Sequence, residues 1–262
     1  MTKKKLSFTV YAWLVMGVLY APLLAVGIAS FAKKRYFSFP IDTYTLEWYE
    51  KALDSGTVAD LVSTSLSIAL LVTLIAVFIG FFGGLAYAKY SWKARKLFQK
   101  LVVLPLFFPQ SVLGLSLLLW FNALGVVPSW KTAVVSHLVW ITPITTLIIA
   151  IQAYSVDPAV EEAAKDLGAS RLQVMRRVTL PLLGPGIVSA GLFAFLLSWG
   201  NFALSMFTTG ADLTLPEWLY AKMVSGYTPL IPAVGILAMA GGMTVVVLWF
   251  SFLSLRKKRQ QA

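Results

Sequence analysis

LVSTSLSIALLVTLIAVFIGFFGGLAYA, residues 61–88, runs for 28 residues without an Asp, Glu, Lys or Arg. Lipid offers backbone N–H and C=O groups no partner, so such a stretch is stable there only as a closed helical ladder, and about 20 apolar residues cross the hydrocarbon. Five more stretches read the same way: Phe8 to Phe31, Leu101 to Phe121, Thr132 to Ile151, Leu182 to Phe207 and Leu230 to Leu253. All 22 basic and 11 acidic residues fall outside the six. A charge at the bilayer centre costs about 3 kcal/mol on insertion scales, so this partition is the one that spanning helices require. Composition agrees, since 58% hydrophobic and 13% charged residues with a mean hydropathy of +0.78 fit no soluble core.

The absence of cysteine excludes a disulfide scaffold, a thiolate nucleophile, iron–sulfur ligation and a Cys-based zinc site. A single His argues against a His-built metal site. A net charge of +11 suits nucleic acid, but a basic membrane protein spends its cations on topology, so membrane lipid rather than nucleic acid is the expected partner. The first stretch follows Lys3, Lys4 and Lys5 and invites comparison with a secretory signal. Its apolar run exceeds the roughly 7 to 15 residues of a signal core, so it reads as an uncleaved first helix.

Six spans put both termini on one side. If that side is cytoplasmic, the inner segments hold 16 cations: Lys3, Lys4, Lys5, the five between Lys89 and Lys100, Lys165, Arg171, Arg176, Arg177 and the four from Arg256 to Arg259. The outer segments hold six: Lys33, Lys34, Arg35, Lys51, Lys131 and Lys222. This bias favours cytoplasmic termini. No linker, repeat or low-complexity tract divides residues 1–262, which read as a single transmembrane domain. The outer segment Ala32 to Asp60 predicts a short interfacial helix with Leu46, Tyr49, Ala52 and Leu53 on one face. The outer loops are too short to capture a solute, so any receptor is a separate protein.

The inner segment Gln152 to Pro181 is polar and encodes two helices. Asp157 caps the first, Pro158 occupies its first position, and Gly168 supplies a left-handed exit. Ser170 and Gln173 have capping-box spacing for the second, which Leu180 and Pro181 are expected to stop. Ala163, Ala164, Leu167 and Leu172 beside Glu162 and Arg171 make a mixed face suited to a groove on a soluble partner, although a purely structural loop fits these local features too.

The string EEAAKDLGASRLQVMRRVTLP resembles the EAA signature of inner-membrane permease subunits of binding-protein-dependent ABC importers. Glu162, Ala163, Ala164, Gly168, Val178, Leu180 and Pro181 occupy its places, with Val178 where Ile is usual. Similarity over most of the chain, including TLEWYEKAL at 45–53, is greatest to the spermidine/putrescine branch and its relatives for phosphonates, iron, thiamine and opines. The resemblance implies an all-α, polytopic protein with six transmembrane helices and a cytoplasmic coupling helix between the fourth and fifth. It also implies two cytoplasmic ATPase subunits that carry ATP and Mg, a second permease (a related chain or a second copy), an external binding protein, and the bacterial inner membrane. Coupling would fall to Glu162, Ala163, Ala164, Gly168 and Arg171. No GKS or GKT phosphate loop is present, so no cofactor is expected in this chain and ATP hydrolysis would lie elsewhere.

Four residues are candidates for the solute pathway. His137 is an ionisable group within a span, Gln110 lies beside Pro109 in a stretch also broken by Pro105, and Trp199 and Asn201 lie near the outer third of the fifth span. Each also has a packing role to fill, and Gly80 with Gly84 has the GxxxG spacing of close helix approach. Polyamine-type members often bear acids where this chain has Trp199, Gly200 and Asn201. That departure favours a neutral, zwitterionic or anionic solute, with polyamine import as the alternative. A secondary carrier or channel subunit shares the six-span layout but usually couples through buried carboxylates, which the spans lack; a membrane enzyme would need clustered acids, His or Cys. Reporters at the C-terminus and after Ala94 are expected to read cytoplasmic and one after Asp54 external; an external C-terminus would overturn the six-span order.

Overall fold

The computed structural model describes residues 3–34 and 40–259, with side chains over 8–34 and 40–251. These residues form helices and one isolated bridge between Ala32 and Tyr44. Arg35, one of the cations used for orientation, lies outside them. The chain divides into two compact units, residues 61–217 and residues 1–60 with 218–262.

In the second of these, α1 (Lys3–Ala29) exposes Phe8, Trp13 and Leu19, as a lipid-facing helix does. The short α2 (Glu47–Leu53) is pinned to the end of α1: Tyr49 Oη and Ser30 Oγ are 2.6 Å apart, and Trp48 Nε1–H donates to the Ala32 carbonyl at 2.9 Å. Tyr49 and Ala52 turn inward, whereas Leu46 and Leu53 are exposed. The expected four-residue face is narrower because Leu46 is the cap, outside the seven-residue helix, and Leu53 is its last residue. The final helix, α12 (Leu230–Arg259), packs on α1 and α2.

The larger unit is built on α3 (Gly56–Ala88), α6 (Trp130–Tyr154) and α9 (Leu180–Trp199), whose core joins Ile68, Val72 and Ala76 to Ala133, Val134, Ile141 and Ala194. Small residues let the backbones approach. Gly80, Gly83 and Gly84 face Thr145, Thr146 and Ile149 of α6, and Thr145 Oγ1 donates across to the Ala76 carbonyl at 2.9 Å.

Three expected boundaries change. The third span is not one helix: α4 (Arg95–Val103) runs through a 3-10 turn (Leu104–Phe107) and meets α5 (Gln110–Ala123) at a 101° bend. Pro109 holds Phe108 in extended backbone (ψ 133°), which ends the helix there. The described residues therefore contain five unbroken helices able to cross a membrane, or six if the bent pair is one span. Leu180 and Pro181 do not stop the helix of Ser170. Instead α8 (Arg171–Val174) passes through a π turn (Met175–Thr179) into α9, and the widened turn absorbs the missing N–H and the ring of Pro181. The fifth span ends at Trp199 rather than Phe207, because Asn201 Oδ1 accepts from the Leu204 N–H (3.0 Å) and starts a separate turn, α10 (Ser205–Thr208).

A Cβ at Gly80 would lie 2.5 Å from Thr145 Oγ1 and 3.1 Å from the Thr145 carbonyl carbon, so Gly80→Ala must spread α3 from α6. A loss of about 1–3 kcal/mol is expected, read as a lower Tm in detergent. Gly17→Ala, with nothing within 4 Å, is the near-neutral control.

Candidate functional site

Two groups of polar residues in the larger unit invite a functional reading. The first is the hairpin of α7 (Pro158–Asp166) and α8. Asp157 caps α7 by accepting from the Ala159 N–H at 2.9 Å, and Pro158 follows at the first position, where no N–H is needed. Gly168 ends the helix at φ +83°, with its N–H on the Lys165 carbonyl (2.8 Å) and the Ala169 N–H on Ala164 (3.1 Å). That is a Schellman exit. No atom lies near a Cβ placed on Gly168, so its backbone angle is the whole of the constraint. Ser170 and Gln173 close a reciprocal capping box.

Of the expected coupling residues, Glu162, Ala163 and Arg171 are exposed on this hairpin and Ala164 is half-buried. Leu167 beside them is 90% exposed and Leu172 is also bare. The buried member of α7 is Glu161, which the sequence reading passed over. Its Oε1 accepts from Thr179 Oγ1 at 2.6 Å and pairs with Lys89, just beyond α3. Burial pushes this carboxyl up. Hydrogen bonds from Lys89 and Thr179 and the charges of Lys89 and Lys165 outweigh burial and hold it below its ordinary value of 4.5. The only sequence signals are that Lys89 is the first cation after a long apolar run and that Glu161 faces away from Glu162 on a helix.

The second group lies where α5, α6, α9 and α10 meet. His137 is 1% exposed, with Nδ1 2.9 Å from Ser198 Oγ and Nε2 3.0 Å from Ser205 Oγ. Ser205 donates to the Asn201 carbonyl at 2.8 Å, so in a neutral imidazole it accepts from Nε2–H and leaves Nδ1 to accept from Ser198. The Asn201 amide faces Gln110 Oε1 at 3.5 Å. His137 and Asn201 are thus linked through Ser205, a residue the sequence reading missed, and Gln110, from a third segment, joins them through the Asn201 side-chain amide. Trp199 is not linked to them: it stacks on Phe195 with ring centres 6.1 Å apart. No carboxylate bonds directly to these residues, but Thr209 Oγ1 stands 3.0 Å from the Ser205 carbonyl and 2.6 Å from the buried carboxylate of Glu217, and no cluster of possible metal ligands occurs among the described residues.

Long apolar helices packed through small residues, a broken span and a capped polar hairpin between two spans define a multi-pass membrane transport protein. The chain belongs to the family of binding-protein-dependent transport system inner membrane components, whose pattern it matches over residues 76–259. It is 27% identical over 242 residues to the spermidine/putrescine transport system permease protein PotC of Haemophilus influenzae, 92% of each chain. It is 29% identical over 250 residues to the putrescine transport system permease protein PotI of Escherichia coli K12, covering 92% of this chain and 89% of that one. A bacterial ABC transporter involved in the import of the acidic polysaccharide alginate shares the fold, with a TM-score of 0.66, 16% identity and 96% of both chains covered. The protein is a permease subunit of a binding-protein-dependent ABC importer, a multi-pass protein of the inner membrane.

A carboxyl with a depressed folded pKa contributes its full stabilisation above its unfolded value and loses it as pH falls through the folded one. For Glu161 that loss begins near pH 4.5 and continues below it. The detergent-solubilised protein should lose Tm on acidification through this range, and Glu161→Gln should lose less; equal losses would refute the assignment.

Proposed function

We propose that residues 1–262 act as one transmembrane domain with both termini and the α7–α8 hairpin in the cytoplasm. The hairpin docks in a cleft on one of two ATPase subunits, which bind ATP and Mg and hydrolyse the nucleotide. A second permease, a related chain or a second copy, completes the pathway, and an external binding protein delivers the solute. One observation carries the docking reading: the hairpin presents Leu167, 90% exposed, and Leu172 beside Glu162, Ala163 and Arg171, on a segment whose caps fix its shape without a partner. An apolar side chain held out in this way costs free energy until something covers it. ATP-driven closure of the ATPase pair would move the hairpin as a rigid body and turn the pathway between its two faces.

The solute we infer is small, polar and without net positive charge. The support is the group at Gln110, His137 and Asn201, which offers amide, imidazole and hydroxyl groups but no carboxylate. A dication leaving water needs compensation, since desolvation costs several kcal/mol per charge while an aromatic face returns about 0.5 to 2. The polyamine names of the relatives favour a second reading, in which the partner permease supplies the acids.

Gly168→Val is expected to leave the chain inserted but to weaken capture of the ATPase subunits about fivefold or more, because a branched side chain at positive φ is strained by about 1 kcal/mol or more. Gly168→Asn should be milder and Glu162→Lys intermediate, both read by copurification. Undiminished copurification in all three would overturn the docking reading. For the solute, uptake is measured in liposomes carrying the whole transporter and its binding protein. Saturable, ATP-dependent import of spermidine or putrescine at micromolar concentration would overturn the charge argument.

A further inference from the structure

A surface helix ordinarily holds to its neighbours through an apolar stripe. In α7 the buried residue is instead the carboxylate Glu161, 7% exposed, while Val160, Glu162 and Ala163 around it are open. Its single oxygen Oε1 receives both Lys89 Nζ and Thr179 Oγ1, and so joins α7 to the end of α3, 72 residues back, and to the π turn leading into α9. The two other ion pairs among the described residues, Lys34–Asp42 and Lys51–Glu47, are short-range and open to solvent.

The surroundings of the pair are loosely filled. Two spaces border the pair: a cavity of about 160 Å³ reaching Leu85, Ala153, Tyr154, Pro158 and Leu183, and a recess of about 470 Å³ reaching Tyr90, Lys165, Arg171, Val174 and Met175. Interdigitated apolar packing would lock the angle between the hairpin and the spans. Here a buried polar contact shared by three segments instead fixes the hairpin to them at one point. We propose that Lys89–Glu161–Thr179 is a pivot that makes α3 follow the hairpin, with Glu161 as its positioning residue. The chain already ties the hairpin to α9 through the π turn and to α6 through residues 155–157, whereas α3 is reached by no covalent path of comparable length. α3 also packs on α6 through Gly80, Gly83 and Gly84, and the Lys89–Glu161 pair ties its C-terminal end directly to the hairpin. This inference rests on the docking reading above.

The chain contains no cysteine, so labels can be placed without removing any. Nitroxides at Phe82→Cys in α3 and Asp166→Cys in α7, both exposed sites, report the separation by pulsed spin resonance in the whole transporter. It is measured without nucleotide and with Mg·ATP and vanadate. With Glu161 and Lys89 intact, the separation should be the same in both states, since the helices travel together. In Glu161→Gln it should shift between the states by about 2 Å or more, the scale of helix displacements in switching proteins. Thr179→Val should give a smaller shift, and Lys89→Glu with Glu161→Lys should remove it. A separation that already changes with nucleotide in the intact pair, or that stays fixed in Glu161→Gln, overturns the pivot. Copurification of the ATPase subunits is scored on the same samples. Its retention in Glu161→Gln is expected; its loss would assign Glu161 to docking and also overturn the pivot, whereas the docking reading itself falls only with the Gly168 and Glu162 variants.

Discussion

Every polar group placed within the hydrocarbon must find its partner inside the protein, because lipid supplies none. The backbone meets this demand by coiling, and most side chains meet it by bonding across helices or back to their own, Thr142 Oγ1 being a buried exception. Thr145 reaches the Ala76 carbonyl, Ser136 bonds back to Thr132, and His137 is held between two serines. The same demand explains why small residues line the α3–α6 contact: a hydroxyl can donate to a neighbouring backbone only if the two backbones come close, and Gly80, Gly83 and Gly84 allow that approach.

That demand also shapes the places where the helices break. Between α4 and α5 the chain turns by 101°, leaving Gln110 at the start of a helix whose first N–H groups lack intrahelical acceptors. At the other break, Asn201 takes up the Leu204 N–H and Ser205 donates to the Asn201 carbonyl, so the start of α10 is closed by side chains of the break itself. The polar residues near Gln110 therefore have a double character. They satisfy broken backbone, and in the function proposed above they also meet the solute.

Features governed by nearest neighbours in sequence were legible there. The six apolar stretches, the Asp157 cap, the left-handed Gly168 and the Ser170–Gln173 box all follow from rules that act over one to four residues. Features set by distant partners were not. Lys89 stands out as the first cation after a long apolar run, but nothing there singles out Glu161 as its partner, and nothing near His137 announces Ser198 and Ser205 in preference to other hydroxyls. The stop expected at Leu180–Pro181 failed for a subtler reason: proline forbids one hydrogen bond of a regular helix, and a helix that widens for a turn no longer requires that bond. Trp199 and Asn201, separated only by Gly200, point to different surroundings because the helix ends between them.

The π turn gives the number of residues between Gly168 and Pro181 a mechanical meaning. A π turn holds one residue more than the α turn it replaces, and one residue corresponds to about 100° of rotation about a helix axis. Met175–Thr179 therefore sets the azimuth of α9 relative to the hairpin, as the pitch of a screw sets the heading of its slot. A chain shortened by one residue here could remain helical, hydrophobic and capped at every point and still aim Ser198 away from His137. The separation between the alanines of this loop and the Leu–Pro that follows is thus an angular specification, written as a residue count.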